Sequence, residues 1–232
     1  MKHCTIGKSL LYNGDCYKVL NRLIKNKVKV DAVITDPPYL FDSHGGTKAP
    51  LAARQHKVKR EISFMSNGFD YSIFEKCELL HCYNYVVFCS NAQITSLMSW
   101  FEQRGYSVTL CVWHKTNASP LCNNKYKSDF DYIVYARKSG VQFNNFLSAP
   151  LKSRLYQFPV VNYKSKQHPS QKPLVPMERL VNLHSLKNGI VLDLFMGSGT
   201  TGVACKHLKR KFIGIEQRED FYKISKKRVR CE

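Results

Sequence analysis

The sequence lacks any segment that is apolar enough to cross a membrane. Its longest stretch without a charged residue, 79–101, is interrupted by histidine, asparagine, glutamine, serine and threonine side chains, which a bilayer core would exclude. The N-terminal residues also lack the apolar core of a signal peptide. No repeat and no low-complexity tract is visible. The 232 residues, 44% of them hydrophobic, therefore predict a globular chain and exclude a disordered chain, a collagen or a coiled coil.

Acidic residues are also scarce. The chain has 36 lysine and arginine residues against 17 aspartate and glutamate residues, which is a formal net charge of +19. Three stretches, 43–60, 103–128 and 132–177, contain no acidic residue. This charge predicts a polyanionic partner, nucleic acid before a membrane surface, although a basic protein without such a partner stays an alternative. The candidate phosphate contacts lie in the first and third stretches: Lys57, Lys59, Arg60, Lys152, Arg154, Lys164 and Lys166.

The nine cysteines include no C-x-x-C pair and are odd in number. Without a disulfide framework or a signal peptide, they predict reduced thiols and a cytoplasmic location. Cys77, His81 and Cys82 come closest to the spacing of metal ligands, but they lie in a mixed apolar segment. We therefore predict no metal site.

Short β-rich runs alternate with helical patterns, which predicts an α/β fold with a mostly parallel sheet and helices on both faces. The predicted strands are 9–13, 30–35, 85–89, 106–113, 130–137, 190–194 and 211–215. The predicted helices are 15–25, 92–103, 173–185, 200–208 and 219–229. The segments 40–70 and 138–170 do not fit this alternation and are predicted to be long functional loops or insertions.

A glycine-rich turn, D-L-F-M-G-S-G-T-T-G from Asp193 to Gly202, follows the predicted strand 190–194. The glycines let a ligand approach the backbone closely, and Glu216, 19 residues after Gly197, is placed to meet a ribose diol. This pattern predicts a nucleoside-bearing cofactor, either a nicotinamide dinucleotide or S-adenosylmethionine. Asp193 favours the second, because a carboxylate attracts an amino-acid ammonium and disfavours a pyrophosphate.

A second motif, Asp36-Pro37-Pro38-Tyr39, directly follows the predicted strand 30–35. Two prolines restrict φ and remove two backbone donors, which leaves a wall of acceptors beside an aromatic ring. Such a wall suits an amino group on a flat ring, because acceptors that hold the amine hydrogens stabilise the positive charge that develops on methyl transfer. An ordinary Asp-Pro turn at a strand end is the alternative interpretation of the tetrapeptide alone.

The two motifs together resemble the amino-methyltransferases of DNA, which use S-adenosylmethionine to methylate exocyclic nitrogens. Because Asp-Pro-Pro-Tyr precedes the glycine-rich turn, the order resembles the β-class permutation of that family. Four further segments resemble family motifs, namely 13–16, 88–90, 112–115 and 168–173. The resemblance covers the chain outside 40–70 and roughly 138–165. It implies one methyltransferase domain over 1–232, with a circularly permuted, Rossmann-like class I methyltransferase fold and a seven-stranded sheet.

The resemblance also implies roles for individual residues. The tetrapeptide Asp36, Pro37, Pro38 and Tyr39 would be catalytic. The implied cofactor-binding residues are Asp15 and Cys16 near the adenine, Glu216 at the ribose, Asp193, Phe195, Gly197, Ser198, Gly199, Thr200 and Thr201 near the methionine half, and His168, Ser170, Gln171 and Lys172 around the pocket. Three of these residues also have structural interpretations: packing for Cys16, helix capping for Thr200 and loop bracing for His168.

In the β-class, Asp at the first position of the tetrapeptide accompanies adenine and Ser accompanies N4 of cytosine, so Asp36 implies adenine N6 in double-stranded DNA. The base would be flipped out of the duplex, with 40–68 as a flexible loop over it and 138–166 as the target-recognition insertion. The resemblance also implies a homodimer and a possible separate restriction endonuclease.

Four alternatives stay open at this point. A cytosine-N4 methyltransferase shares both motifs. A nicotinamide-dependent oxidoreductase shares only the glycine-rich turn. A relative that methylates RNA or protein glutamine more often has Asn where Asp36 stands. A non-catalytic DNA-binding module would explain the charge but neither motif.

Overall fold

A computed structural model describes residues 2–40, 68–120, 126–141, 143–144, 146–162 and 164–232. The strands in these ranges are β1 (Lys2–Ile6), β2 (Ser9–Asn13), β3 (Ala32–Thr35), β4 (Asn84–Cys89), β5 (Ser107–Lys115), β6 (Phe130–Arg137), β7 (Leu155–Phe158), β8 (Ile190–Asp193) and β9 (Lys211–Glu216). They form one sheet in the order β1-β2-β9-β8-β3-β4-β6-β5-β7. Only β1 and β6 run against the others, so the predicted mostly parallel sheet is confirmed.

Helices pack on both faces of this sheet, as predicted. The first face carries α1 (Cys16–Lys25), α2 (Ile73–Glu78) and α3 (Ile94–Glu102). The second face carries α4 (Leu174–His184), α5 (Thr200–His207) and α6 (Glu219–Cys231). Each face has its own buried apolar cluster, centred on the side chains that alternate along the strands. No helix among the described residues is long and apolar enough to span a membrane.

The seven predicted strands and five predicted helices are all present, with ends that differ by one or two residues. The predicted count of seven strands is wrong, because the described residues form a sheet of nine strands. The two additional strands are β1, which pairs with β2 through a hairpin at Gly7, and β7, which pairs with β5 inside the predicted insertion 138–166. Both are edge strands in which Tyr156 is the one buried side chain, so they lack the apolar pattern that predicts a strand.

The strand order places the two sequence motifs side by side. β3 lies between β8 and β4, and all three strands are parallel, so their carboxyl ends meet at one edge. The Asp-Pro-Pro-Tyr segment leaves β3 there, next to the glycine-rich turn that leaves β8. Ligands of open α/β sheets bind at this edge. Most of the predicted loop 40–68 lies outside the described residues.

Candidate active site

The Asp-Pro-Pro-Tyr segment is braced by residues that follow β4. Ser90 donates a hydrogen bond from Oγ to the Leu40 carbonyl at 2.8 Å, and Gln93 donates from Nε2 to the Pro38 carbonyl at 3.4 Å. Two backbone carbonyls around the motif therefore already have protein donors. The carboxylate of Asp36 is the charged acceptor of the motif that faces a cavity.

Asp193, at the end of β8, organises the glycine-rich turn from within. Its Oδ1 accepts hydrogen bonds from Thr35 Oγ1 at 2.9 Å and from the Phe195 amide at 3.2 Å, and its Oδ2 accepts one from Thr201 Oγ1 at 2.7 Å. Burial raises the pKa of Asp193 to about 6. The same side chain lines the cavity above the turn, so it both holds the turn in shape and contributes negative charge.

Glu216, at the end of β9, lies beside the turn. Its Oε2 accepts a hydrogen bond from the Gly197 amide at 3.0 Å, and its Oε1 accepts one from the Arg218 amide at 2.8 Å. Burial raises the pKa of this carboxyl group to about 7. Because the Gly197 amide is used by Glu216, it is not free to bind a pyrophosphate.

The first cavity lies at this edge between the turn, the tetrapeptide and α6. The predicted cofactor residues that line it are Cys16, His168, Ser170, Lys172, Asp193, Phe195, Gly197, Ser198, Thr200, Thr201 and Glu216, together with Asp36 and Pro38 of the tetrapeptide. Sequence reasoning did not identify Gly14, Gln217, Arg218 and Phe221, which also line it. Gly14 precedes the predicted residue Asp15, and the other three follow the predicted residue Glu216, so both chain segments contained a predicted site residue.

Three predicted cofactor residues do not line this cavity. Asp15 caps α1 by accepting a hydrogen bond from the Lys18 amide at 3.0 Å. Gln171 braces its own loop by accepting one from the Gln167 amide at 2.9 Å. Gly199 is the N-cap of α5. In the structure these residues shape the surrounding segments and do not contact the cavity.

The loop before α4 closes the cavity from above. His168 packs over Gly197, where an added Cβ would lie 3.3 Å from Nε2, and stacks edge-on against Phe221 with ring centroids 4.0 Å apart. Its Nδ1 accepts a hydrogen bond from the Ser170 amide at 3.2 Å. Burial and nearby positive charges, Lys172 first among them, lower the pKa of His168 to about 4, so the ring is neutral at pH 7.

A second cavity adjoins the first on the side of β5 and β6. It is lined by Asp36, Pro37, Tyr39, Trp113, Lys115, Asp131, Val160, Lys166, Pro169, Ser170, Gln171 and Lys172. Asp36, Ser170 and Lys172 belong to both cavities. An aromatic ring, Tyr39, and a carboxylate, Asp36, thus face the second cavity at the point where it meets the first.

Lys172 lies at this junction and contacts the tetrapeptide directly. Its Nζ lies 2.6 Å from Asp36 Oδ2 and 3.2 Å from Tyr39 Oη. Sequence reasoning placed Lys172 with the cofactor residues and missed this ion pair. It also missed Asp131 of β6, whose Oδ2 lies 3.9 Å from the same Nζ. No local pattern marks Asp131, because only the placement of β6 beside β4 brings it to the site.

The predicted phosphate contacts are separated in space. Lys166 lines the second cavity, whereas Lys152 and Arg154 line a different cavity between β5, β6 and α4. The Arg154 carbonyl accepts a hydrogen bond from the Val112 amide at 2.9 Å, so Arg154 is set back along β5 from Lys115 and the junction. Lys164 is described but lines none of these three cavities. The remaining candidates, Lys57, Lys59 and Arg60, lie outside the described residues.

The first cavity fits S-adenosylmethionine. Two carboxylates, Asp193 and Glu216, face a space that is lined by glycine backbone and apolar side chains. A carboxylate beside the turn suits ribose hydroxyls and an ammonium, while the engaged Gly197 amide leaves no cradle for a pyrophosphate. Phe195 and Phe221 provide aromatic walls.

Residues 30–227 match the family model described as "DNA methylase" for N6 and N4 methyltransferases. With more than half of the chain covered, the protein belongs to this DNA methylase family. It is a DNA methyltransferase with the class I fold, and S-adenosylmethionine is its methyl donor. The nicotinamide-dependent oxidoreductase and the non-catalytic module are thereby excluded.

Curated relatives and solved structures match over nearly the whole chain. Type II methyltransferase M2.LlaDCHI of Lactococcus lactis subsp. cremoris is 28% identical over 95% of this chain and 89% of its own. Type II methyltransferase M2.DpnII of Streptococcus pneumoniae is also 28% identical, over 97% and 91%. The crystal structure of the M1.HpyAVI–SAM complex has a TM-score of 0.70 and 29% identity, and covers 95% of this chain and 98% of that one.

Proposed function

We propose that this protein methylates N6 of adenine at a specific site in double-stranded DNA, as the modification enzyme of a type II restriction–modification system. The observation that carries the proposal is the shared edge of the two cavities at Asp36. The methyl donor in the first cavity and a base in the second would meet there. The type II assignment is supported by the names of the relatives M2.LlaDCHI and M2.DpnII.

Asp36 has the chemistry that the amine requires. A carboxylate accepts hydrogen bonds from an exocyclic amine and stabilises the positive charge that develops on the nitrogen during methyl transfer. The reacting nitrogen then loses one proton to water, so the methylated amino group of the base is neutral. Tyr39 faces the same cavity, where its ring can stack on the base. Burial raises the pKa of Tyr39 further above its ordinary value, so its hydroxyl group stays neutral.

The remaining residues of the first cavity either bind S-adenosylmethionine or cover it. We infer that Glu216 accepts hydrogen bonds from the ribose hydroxyls and that the ammonium of the methionine half binds near Asp193. S-adenosylmethionine supplies an electrophilic methyl group on a sulfonium when it is bound. His168 and Phe221 would cover it, because they pack together over the Gly197 turn.

The target base must leave the duplex to enter the second cavity, since a stacked amine is not accessible in line with the methyl group. We infer that Lys166, which lines this cavity, and Lys164 contact phosphates near the flipped base. Lys57, Lys59, Arg60, Lys152 and Arg154 remain proposed DNA contacts, and the insertion 138–166 remains the proposed reader of the target sequence.

The choice of adenine rests on Asp36, because Asp at this position accompanies adenine in the β-class that the sequence resembles. The second candidate is N4 of cytosine, since the family model includes both chemistries. The test is to express the chain in cells that lack DNA methylation and to identify the modified nucleoside by mass spectrometry. N6-methyladenine at one recurring sequence supports the proposal, and N4-methylcytosine overturns it.

A homodimer and a separate endonuclease complete the proposal. Light scattering with the purified protein tests the first: an active monomer at micromolar concentration would remove the dimer. Challenge of modified and unmodified DNA with restriction enzymes of matching specificity tests the second, since protection is expected only after methylation.

A further inference from the structure

Four charged side chains form a row across the second cavity. Lys115 Nζ lies 2.9 Å from Asp131 Oδ1, Asp131 Oδ2 lies 3.9 Å from Lys172 Nζ, and Lys172 Nζ lies 2.6 Å from Asp36 Oδ2. The row alternates in sign, with two ammonium groups and two carboxylates. These side chains are at most one-fifth exposed, so water screens their interactions only partly.

Lys172 holds one of the two carboxylate oxygens at which the proposed function places the target amine. Its ammonium donates to Asp36 Oδ2, lies 3.2 Å from Tyr39 Oη and lies 4.7 Å from the centroid of the Phe88 ring. An amine that donates to the same oxygen competes with this ammonium for the space beside Asp36 Oδ2. Asp36 Oδ1 is buried and has no hydrogen-bond partner among the residues that the structure describes.

We propose that Lys172 is a positioning residue that holds the amine site of Asp36 before the base enters, and that it moves onto Asp131 when the base amine replaces it. The inference rests on the proposed function, because it takes Asp36 as the acceptor of the target amine. A shift of the Nζ by about 1 Å brings it within hydrogen-bond distance of Asp131. The displaced ammonium thus keeps a carboxylate partner, which a buried charge requires.

This arrangement makes the charge on Asp36 depend on Lys172. The groups that face Asp36 are the ammonium of Lys172, the phenol of Tyr39, the carboxyls of Asp131 and Asp193, and the thiol of Cys89, with Lys115 behind Asp131. Burial raises the pKa of Asp36, and Lys172 opposes that rise. Removal of the ammonium therefore raises this pKa further, and the carboxylate forms only at higher pH.

The first experiment measures methyl transfer in single turnovers by Lys172→Met between about pH 5.5 and about pH 9.5. We expect the single-turnover rate of Lys172→Met to be at least ~10-fold below that of the wild type at the acid end of this range. The difference should shrink as the pH rises, because Asp36 then ionises without the nearby ammonium. Lys172→Arg keeps the charge and should keep the acid limb of the wild-type protein. An equal loss at every pH, or an unshifted acid limb, overturns the role of Lys172.

The second experiment tests Asp131. In Asp131→Asn the displaced ammonium has no carboxylate to receive it, so the KM for target DNA should rise by ~10-fold while the KM for S-adenosylmethionine stays unchanged. Asp129→Asn is the matched control, because this carboxylate lies 3.9 Å from His114 and does not line the cavity. Equal kinetics in the two variants would remove Asp131 from the inference.

Further controls separate the possible failures. Lys223→Met removes a lysine that is paired with Glu219 on α6, away from both cavities, and should match the wild type. Circular dichroism and thermal denaturation report whether each variant folds. If Lys172→Met does not fold, Lys172→Arg and Asp131→Asn decide the question. A wild-type chain that methylates no DNA contradicts the proposed function. An active wild type with an unshifted acid limb in Lys172→Met contradicts only this inference.

Discussion

The Gly197 amide donates a hydrogen bond to Oε2 of Glu216 at 3.0 Å, which ties the glycine-rich turn after β8 to the end of the neighbouring strand β9. The bond joins residues that are 19 positions apart in the sequence. It fixes the carboxylate against the turn and leaves it facing the cofactor cavity. The turn and the acidic residue therefore act as one structural unit.

The affinity for S-adenosylmethionine should depend on the charge of Glu216. Burial raises its pKa to about 7, and a carboxylate accepts hydrogen bonds from two hydroxyls better than a carboxylic acid does. The ionised fraction rises about tenfold between pH 6 and pH 8 for such a group, so affinity should rise by up to about tenfold. Calorimetry over this range measures the change.

The Glu216→Gln variant should bind more weakly and lose this pH dependence. The stability of the free protein gives an independent test. Because the folded-state pKa is raised, Glu216 contributes stability at low pH that is lost as the pH rises through about 7. The decline of the melting temperature between pH 5 and pH 8 should therefore be smaller in Glu216→Gln. Glu219→Gln, an exposed carboxylate three residues later, is the control, and an identical profile in both variants would contradict the assignment.

Asp36→Ala should reduce turnover by at least ~100-fold, because it removes a preorganised acceptor at the reacting amine. S-adenosylmethionine should still bind, since Asp193 and Glu216 keep their own hydrogen bonds. Turnover on target DNA and cofactor affinity are measured on the same preparation. Asp129→Ala serves as the control, and near-normal turnover of Asp36→Ala would refute the catalytic role.

Gly199→Ala should destabilise the fold more than Gly140→Ala. Both glycines have positive φ values, 78° and 82°, so a side chain costs about 1–2 kcal/mol at either position. At Gly199 an added Cβ also lies 2.9 Å from Ser225 Cβ, whereas nothing lies within 4 Å at Gly140. Overpacking adds about 1–3 kcal/mol. Urea denaturation measures the free energy of unfolding of both variants. An equal decrease in the two would show that the contact with α6 relaxes without cost.

Neutralising proposed phosphate contacts should weaken binding to all DNA alike. We expect the slope of log K against log salt to flatten by about one unit per lost contact in Lys164→Gln/Lys166→Gln, and likewise in a variant that neutralises Lys57, Lys59 and Arg60. A Lys152→Gln/Arg154→Gln variant tests whether the separate cavity also lies on the DNA. An unchanged slope removes the set concerned from the interface.

Exchange of 138–166 for the loop of a relative should change which sequence is methylated, because base contacts determine sequence choice and phosphate contacts determine affinity. The exchanged segment includes β7, so the boundaries should preserve its pairing with β5. Sequencing of modified bases in DNA from cells that express the exchanged protein measures the outcome. An unchanged target would assign base recognition elsewhere in the chain.

The sequence predicted the fold where burial is periodic. The five predicted helices and seven predicted strands all carry an apolar face or an apolar run, and each was located within one or two residues. The strands β1 and β7 and the short helix α2 were missed. β1 and β7 lie at the sheet edges, where backbone pairing holds the strands and Tyr156 is the one side chain that is buried.

The two motifs were predictable because their chemistry is local. Asp36 and Tyr39 lie three residues apart after a strand, so the chain itself places this carboxylate near the aromatic ring. Asp193 and Gly197 lie in one turn, so that carboxylate is near the glycine for the same reason. Glu216 was predictable because one helix and one strand of ordinary length, α5 and β9, separate it from the glycine-rich turn. For these residues the order along the chain already implies proximity.

Only the tertiary structure decided how the site is charged. Lys172 reaches Asp36 from the loop before α4, and Asp131 arrives from β6, which pairs antiparallel with β4. These contacts join residues about 40 to 136 positions apart, and no periodicity or spacing encodes them. They depend on strand order, which follows from the packing of the whole sheet. The sequence alone therefore determined the two motifs and their order along the chain, and the assembled sheet determined which charged side chains meet them.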